Sequence, residues 1–304
     1  MLGMRAAVIH EFGPPEVLRL EEVAEPEGEA LVEVAFASVT FVETMVRAGR
    51  APHSSMEPAL PAILGNGVAG TVDGARVVTT TGGLGGYAER AAVPRAGLIE
   101  VPDGLGLDVA AALLADGRTA VGLIAAARIA PGETVLVEAA AGGVGTLLVQ
   151  LARGAGARVI AAAGGERKLA LARELGAEQT VDYTHDGWAR GLEADVVFDG
   201  VGGAVGRASF TTLRPGGRMV SFGLASGSWA KIEPEEAGAR EVELVSPARP
   251  TPEESAERSR HALAEAAAGR LRPVIGQVVP LAEAAAAHAA IEARATAGKT
   301  LLVP

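Results

Sequence analysis

The 304-residue chain contains no cysteine. Disulfides and metal sites built on thiolates are thereby excluded. A basic excess is also missing: 27 Lys and Arg stand against 37 Asp and Glu, a formal charge of −10. Binding a phosphate backbone needs a basic face, so nucleic acid is not an expected partner. No uncharged apolar run of about 18 residues occurs, so no membrane span is expected. The opening residues, MLGMRAAVIHEFG, lack the basic-then-apolar layout of a secretory signal and alternate as a strand does. The five histidines, His10, His53, His185, His261 and His288, show no metal-like spacing, and each reads as a surface residue. What is plentiful is apolar and small: 49% of residues are hydrophobic and 40 are glycine. That suffices for a substantial core, in two domains or one large one. Alanine runs such as residues 284–287 read as GC-biased coding composition. Together these features fit a soluble cytoplasmic enzyme.

The stretch that organises the rest is PGETVLVEAAAGGVGTLLVQLARGAG, residues 131–156. After the Pro131-Gly132 turn, Thr134 to Val137 form a short apolar run that reads as a buried parallel strand. A small-residue turn follows, Ala139 to Gly145. From Thr146 to Arg153 the period is helical, with Leu147, Leu148 and Leu151 on one face. Strand, glycine turn and helix are the context for pyrophosphate binding. A turn without side chains admits the anion, and the helix N-terminus offers N–H groups and a positive dipole end. The pattern is AxxGxxG, from Ala139, Gly142 and Gly145; Ala140 stands where GxGxxG has a glycine. Alone it equally fits a helix packed closely on a strand. The next strand, Ala157 to Ala162, and helix, Glu166 to Leu175, complete a βαβ unit and favour the dinucleotide reading. At the end of that second strand an NAD site places an acid on the ribose hydroxyls. This chain has Ala163, Gly164 and Gly165, then Glu166, Arg167 and Lys168. The missing acid and two cations favour a 2′-phosphate, although for any helix Arg167 and Lys168 are more often a solvated first-turn pair.

Residues 4–100 are short alternating runs between glycine and proline, the pattern of a β-rich domain. Thr40 to Gly49 reads as loop and helix, and Pro52 to Pro61 as a proline-rich connection. From Leu107 a helical pattern runs to Pro131, expected as two helices broken near Asp116-Gly117. Strands are expected in DVVFDGVGG (195–203), GRMVSFG (217–223) and VELVS (242–246). Five or more strands alternating with helices imply a doubly wound parallel sheet. After Pro252 the chain is helical through Gly269. VIGQVVPL and GKTLLVP are expected strands returning to the first domain, with a helix from Ala282 to Ala295 between them.

Taken in order, GGYAERAAVP (85–94), Thr119-Ala120, PGETVLVEAAAGGVG (131–145), ARELGA (172–177), VDYT (181–184), DVVFDGVGG (195–203), LRPGGRMVSFG (213–223) and ARATAGKTLLVP (293–304) carry a family resemblance. Over nearly its whole length the chain resembles the zinc-free quinone oxidoreductase (zeta-crystallin-like) branch of the medium-chain dehydrogenase/reductase superfamily. The resemblance implies an α/β protein. A β-rich GroES-like catalytic domain takes residues 1–108 and 247–304, and a Rossmann-type doubly wound coenzyme domain takes residues 109–246. Ligands lie between them. It implies NADPH as cofactor, its 2′-phosphate held by Lys168, Tyr183 and Arg294, with Gly164 beside the adenosine ribose. Ala141, Gly142, Gly143 and Val144 are the expected cofactor turn, and Phe222 and Gly223 line the nicotinamide pocket through their backbone. The chain departs from the family at Thr40 and Glu43, where asparagine and aspartate are common. It departs again at Gly67, within Gly65-Asn66-Gly67-Val68-Ala69-Gly70, where a glutamate is usual.

The expected activity is hydride transfer from NADPH to a quinone or an α,β-unsaturated carbonyl, without a metal. No Ser-Tyr-Lys or His-Asp constellation stands out. A reduced quinone oxygen can take its proton from water, so a dedicated acid is not required. Thr40, Glu43, Tyr87 and Thr119 are the catalytic candidates. An enoyl-thioester reductase would use the same cofactor site. The changes at 40 and 43 also admit an NADPH-binding redox-sensing or accessory protein with little turnover. Beyond a small-molecule acceptor, the expected partner is a second copy of the chain, paired through the coenzyme-sheet edge at Arg218 to Val245.

Overall fold

Two compact units make up the chain in a computed structural model that describes residues 3–304: Met1–Gly117 with Ser259–Pro304, and Arg118–Arg258. In the first, the alternating runs become β1 (Gly3–Ile9), β2 (Arg19–Ala24), β3 (Ala30–Val39), β4 (Ala62–Ile63), β5 (Gly67–Val72), β6 (Ala75–Thr80), β7 (Arg90–Val93) and β8 (Ile99–Glu100). One short helix interrupts them, α1 (Phe41–Arg47). β2, β1 and β4 form a three-stranded antiparallel sheet. β5 and β6 are joined by Asp73-Gly74, both at positive φ (51° and 81°), the two-residue turn whose twist suits a hairpin.

The expected break at Asp116-Gly117 is absent: α2 (Leu107–Ala127) is one helix of 21 residues. Gly117 permits close packing and does not end the helix. A Cβ added there would lie 2.8 Å from the Ala262 methyl and 3.2 Å from Leu113 Cδ2. Asp116 points inward, where its Oδ1 receives the Lys299 ammonium at 3.1 Å. By length and composition α2 is apolar enough to cross a membrane, yet most of that stretch is buried within the fold. It is a core helix. The units divide at 117/118 within α2 and at 258/259; the boundaries the resemblance implied are 108/109 and 246/247.

The second unit alternates strand and helix: β9 (Thr134–Val137), α3 (Gly143–Gly154), β10 (Arg158–Ala163), α4 (Glu166–Glu174), β11 (Gln179–Asp182), β12 (Ala194–Asp199), α5 (Gly203–Phe210), β13 (Leu213–Ser221), α6 (Pro234–Ala239) and β14 (Glu243–Val245). The six strands are parallel, in the order β11-β10-β9-β12-β13-β14. Counted along the chain this is 3-2-1-4-5-6, the doubly wound Rossmann order. Its direction of growth reverses between β9 and β12, leaving a crevice at their carboxyl ends. Leu136, Ile160, Val197, Phe210 and Met219 fill the core of this unit.

The chain continues through α7 (Pro252–Ala267), β15 (Ile275–Pro280), α8 (Ala284–Glu292) and β16 (Lys299–Val303). As expected, the last two strands rejoin the first unit. β16 lies between β15 and β3, in a seven-stranded sheet of order β15-β16-β3-β5-β6-β8 with β7 also on β3. Val32, Val68, Tyr87 and Leu302 belong to its core.

Candidate functional site

β9 delivers the chain into a turn built on backbone contacts. Ala139 adopts a left-handed φ of 46°, and its carbonyl accepts the Gly142 N–H at 2.7 Å. Ala140 donates its N–H to Ala162 O at 3.1 Å and has no accessible surface, so this position packs under the turn against β10. Gly142 caps α3 in extended conformation, with no side-chain cap and no acid in the first helical turn. The N-terminal N–H groups of α3 are therefore open to an anion. Gly145 brings the helix down on the turn, since a Cβ there would lie 2.2 Å from Ala139 O. Ala141 is buried, whereas Gly142, Gly143 and Val144 are partly exposed. A cradle of backbone with no side chain in the way fits a pyrophosphate.

At the end of β10, Gly164 and Gly165 turn the chain into α4. A Cβ on Gly164 would meet Thr184 Cγ2 at 3.1 Å and Tyr183 Cε2 at 3.6 Å, so the Tyr183 ring flanks this glycine. Lys168, in the first turn of α4, donates its N–H to Gly165 O at 3.1 Å. Gly164, Lys168 and Tyr183 thus frame one strand end. Sequence reasoning missed Asp182 beside them. Its Oδ1 accepts from Thr184 Oγ1 at 2.6 Å and Thr184 N at 2.9 Å, and its Oδ2 accepts Gly165 N at 2.9 Å. These donors, Thr184 first, hold its carboxyl below the usual range. The acid near this turn is committed to the backbone, and the Asp-x-Thr spacing within VDYT was its visible signal. Arg294 belongs to the first unit, where its guanidinium lies 5.8 Å from the centre of the Phe41 ring.

Where β12 ends, Asp199 O accepts Phe222 N at 2.9 Å and Gly223 N at 3.3 Å. The Phe222 ring covers Gly200, whose added Cβ would lie 2.7 Å from Phe222 Cζ. Beneath these residues sit two more that the sequence did not flag, Glu138 and Asp199, neither with accessible surface.

Three of the four catalytic candidates meet in the first unit. Thr40 precedes α1, and Glu43 closes a capping box on it: Oε2 accepts Thr40 N at 2.5 Å and Oε1 accepts Asn66 N at 2.5 Å. The Tyr87 hydroxyl lies 3.1 Å from His288 Nε2 and near enough to Glu43 to feel its charge. Burial pushes the Glu43 carboxyl up, against the Thr40 and Asn66 N–H groups and the Lys299 charge. Burial, then the Glu43 charge, raises the Tyr87 phenol well above its usual value. His288 is not on the surface as expected: it has no accessible surface, and burial lowers its pKa to about 3. A neutral imidazole is tolerated there because Tyr87 partners one nitrogen. Gly67 leaves no room for the family glutamate, since its Cβ would lie 2.7 Å from Leu114 Cδ2. Thr119, the fourth candidate, lies on α2 in the second unit.

Among the described residues no group of three or more His, Asp or Glu could hold a metal ion. A family model described as Zinc-binding dehydrogenase matches residues 175–302. The quinone oxidoreductase of Pseudomonas aeruginosa is 34% identical over 96% of this chain and 97% of its own length. A 2-haloacrylate reductase from a Burkholderia species is 33% identical over 98% of each. The solved structure of Escherichia coli quinone oxidoreductase complexed with NADPH superimposes with a TM-score of 0.90 at 30% identity, covering 99% of this chain and all (100%) of that one. A mycobacterial structure complexed with NADPH gives 0.88 at 32% identity, with coverage of 99% and 100%. Sequence order, Rossmann topology and these full-length matches agree that the chain belongs to the quinone oxidoreductase family of the medium-chain dehydrogenase/reductase superfamily.

Proposed function

We propose that this chain is an NADPH-dependent oxidoreductase that reduces a small electron-poor acceptor, a quinone or an α,β-unsaturated carbonyl compound. The observation that carries the reading is the side-chain-free cradle at the β9–α3 turn, held shut by Gly145 against Ala139 O. It stands at the Rossmann crevice, where such sheets bind dinucleotides. When bound, NADPH supplies a hydride from C4 of its nicotinamide. The chain binds and orients. Backbone N–H groups of Gly143 and Val144 at the start of α3 face the pyrophosphate, Ala141 and Gly142 shape the turn that admits it, and Lys168 and Tyr183 take the 2′-phosphate beside Gly164. Phe222 and Gly223 wall the nicotinamide end and exclude water. Buried Glu43 acts by fixing Thr40 and the Asn66 turn, with Tyr87 packed behind it. Relatives named for quinones and for 2-haloacrylate support a conjugated acceptor.

Fluorescence titration with NADPH and NADH tests the cofactor assignment. NADPH is expected to bind more tightly, and Lys168→Ala to weaken it about tenfold while NADH affinity holds, since one charge-assisted contact is lost. Equal weakening of both nucleotides would sink the assignment. Turnover with a simple quinone, against an enoyl thioester, then separates the acceptor classes.

We further propose a homodimer built on β14. It ends the six-stranded sheet, and Leu244 on it shares a shallow hollow with Trp229, 37% and 48% exposed respectively. A bare strand edge beside exposed apolar side chains is covered by a second copy. Light scattering is expected to return twice the chain mass, and Leu244→Lys to shift the population towards monomer. A native protein that stays monomeric at high concentration contradicts this.

A further inference from the structure

Glu138 follows β9 directly and Asp199 ends β12, so the two flank the point where the sheet reverses direction. The strands stay in register up to them: Val137 pairs with Phe198, and Glu138 N donates to Phe198 O at 3.1 Å. Every carboxyl oxygen of the two side chains has a partner. Glu138 Oε1 accepts from Ser209 Oγ at 2.5 Å and Oε2 from Val201 N at 3.0 Å. Asp199 Oδ1 accepts from Gly202 N at 2.7 Å and Oδ2 from Ser221 Oγ at 3.0 Å. The register sets the two carboxyls side by side at the ends of neighbouring strands, close enough for the Asp199 charge to act on Glu138.

We infer that Glu138 and Asp199 are a positioning pair for the dinucleotide crevice, tying the turn after β9 to the turn after β12 through one shared proton. The inference rests on the dinucleotide reading above. With no accessible surface at either residue, two adjacent negative charges are not sustainable. Asp199 is the ionisable group that bears on Glu138 among the described residues; Ser209 from α5 and the Val201 amide are its other partners. Ser221 from β13 and the Gly202 amide complete the surroundings of Asp199. Burial, then the Asp199 charge, pushes the Glu138 carboxyl well above its ordinary 4.5.

The geometry gives the pair its task. Glu138 is covalently joined to the Ala139–Gly142 turn and hydrogen-bonded to the amide of Val201, so it spans both walls of the crevice. Asp199 holds the next amide, Gly202. While the proton is shared, the walls are fixed. Once it leaves, two like charges face each other behind the turns, and an anionic dinucleotide meets a wider and more negative crevice. The sign follows from the raised value. The pair favours the folded, binding-competent form at low pH, and that contribution is lost as pH rises from 4.5 through the raised value.

The test compares the native protein with Glu138→Gln, in which an amide carries its hydrogens permanently. NADPH affinity is measured by fluorescence titration from mildly acid to alkaline pH. The protonated-carboxyl stretch is followed by infrared spectroscopy without nucleotide. The native protein is expected to show that band and to lose about tenfold in affinity towards alkaline pH, a typical coupling between linked sites. Subtracting the spectrum of Glu138→Gln is expected to isolate the Glu138 band from that of buried Glu43, and the variant to hold an affinity independent of pH. Parallel pH profiles in the two proteins, or a difference spectrum between them that contains no protonated-carboxyl band, would overturn the inference. Failure of the native protein to bind NADPH at any pH would remove the dinucleotide reading instead, while a band in the difference spectrum would still assign the shared proton to this pair.

Discussion

Gly145→Ala is expected to abolish useful dinucleotide binding, weakening NADPH by about a hundredfold through a displaced cradle. The new Cβ would lie 2.2 Å from Ala139 O and 2.9 Å from Ala139 C and Ala140 Cα. All three are backbone atoms, so no rotamer relieves the clash. Either α3 lifts from the turn or the turn reshapes, and both move the N–H groups proposed to meet the pyrophosphate. The fold survives, because overpacking of this kind costs about 1–3 kcal/mol against a core that the change leaves intact. Gly154→Ala is the control. It lies on the same helix with nothing within 4 Å of an added Cβ, so binding and melting temperature should hold or the latter rise slightly. Titration and thermal unfolding of both variants decide the matter. Native-like affinity in Gly145→Ala would show that the α3 N-terminus is not where the pyrophosphate sits.

Asp116→Ala should destabilise the protein by about 3–5 kcal/mol, the usual penalty for stranding a buried charge. Lys299 is 4% exposed in its side chain, and its ammonium meets Asp116 Oδ1 at 3.1 Å. Alanine leaves that cation without its partner inside the protein. Replacing both partners by apolar residues of similar size, Asp116→Leu with Lys299→Met, should recover most of the loss, since the pair's own net worth is small. Urea denaturation of the single and double variants gives the coupling directly. If Asp116→Ala costs no more than an exposed pair, under about 1 kcal/mol, the ammonium has found water and the account of α2 fails.

What the sequence displayed was local. Thr134 to Val137 announced β9 to the residue because a β-branched run lies between Pro131-Gly132 and a small-residue turn. The AxxGxxG spacing pointed to a close helix–strand approach because that contact is formed within a few residues. What it concealed was set by distant partners. Gly117 carries the mark of a helix breaker, but its reason is Ala262, far along the chain. His288 sits in AAAAHAAIE, where alanine on every side hides which face turns inward, and its partner Tyr87 lies 201 residues away. The Thr40-x-x-Glu43 box was legible as a helix start, yet the same residues also matched a family position near the nicotinamide. Glu138 looked like one polar residue after a strand until Asp199 stood beside it. Pairing of that kind has no local signature.

The place of β16 bears on how the protein is made. Residues 118–258 form an uninterrupted unit whose six-stranded sheet is complete long before the ribosome reaches residue 299. The other sheet cannot close at that stage, for β16 belongs between β15 and β3. Until residues 299–303 are made, β3 therefore keeps the part of its edge at Ala37–Val39 unpaired, since β16 is the strand that covers it. Such an edge on a nascent chain invites strand exchange with neighbours on the same polysome and engagement by chaperones.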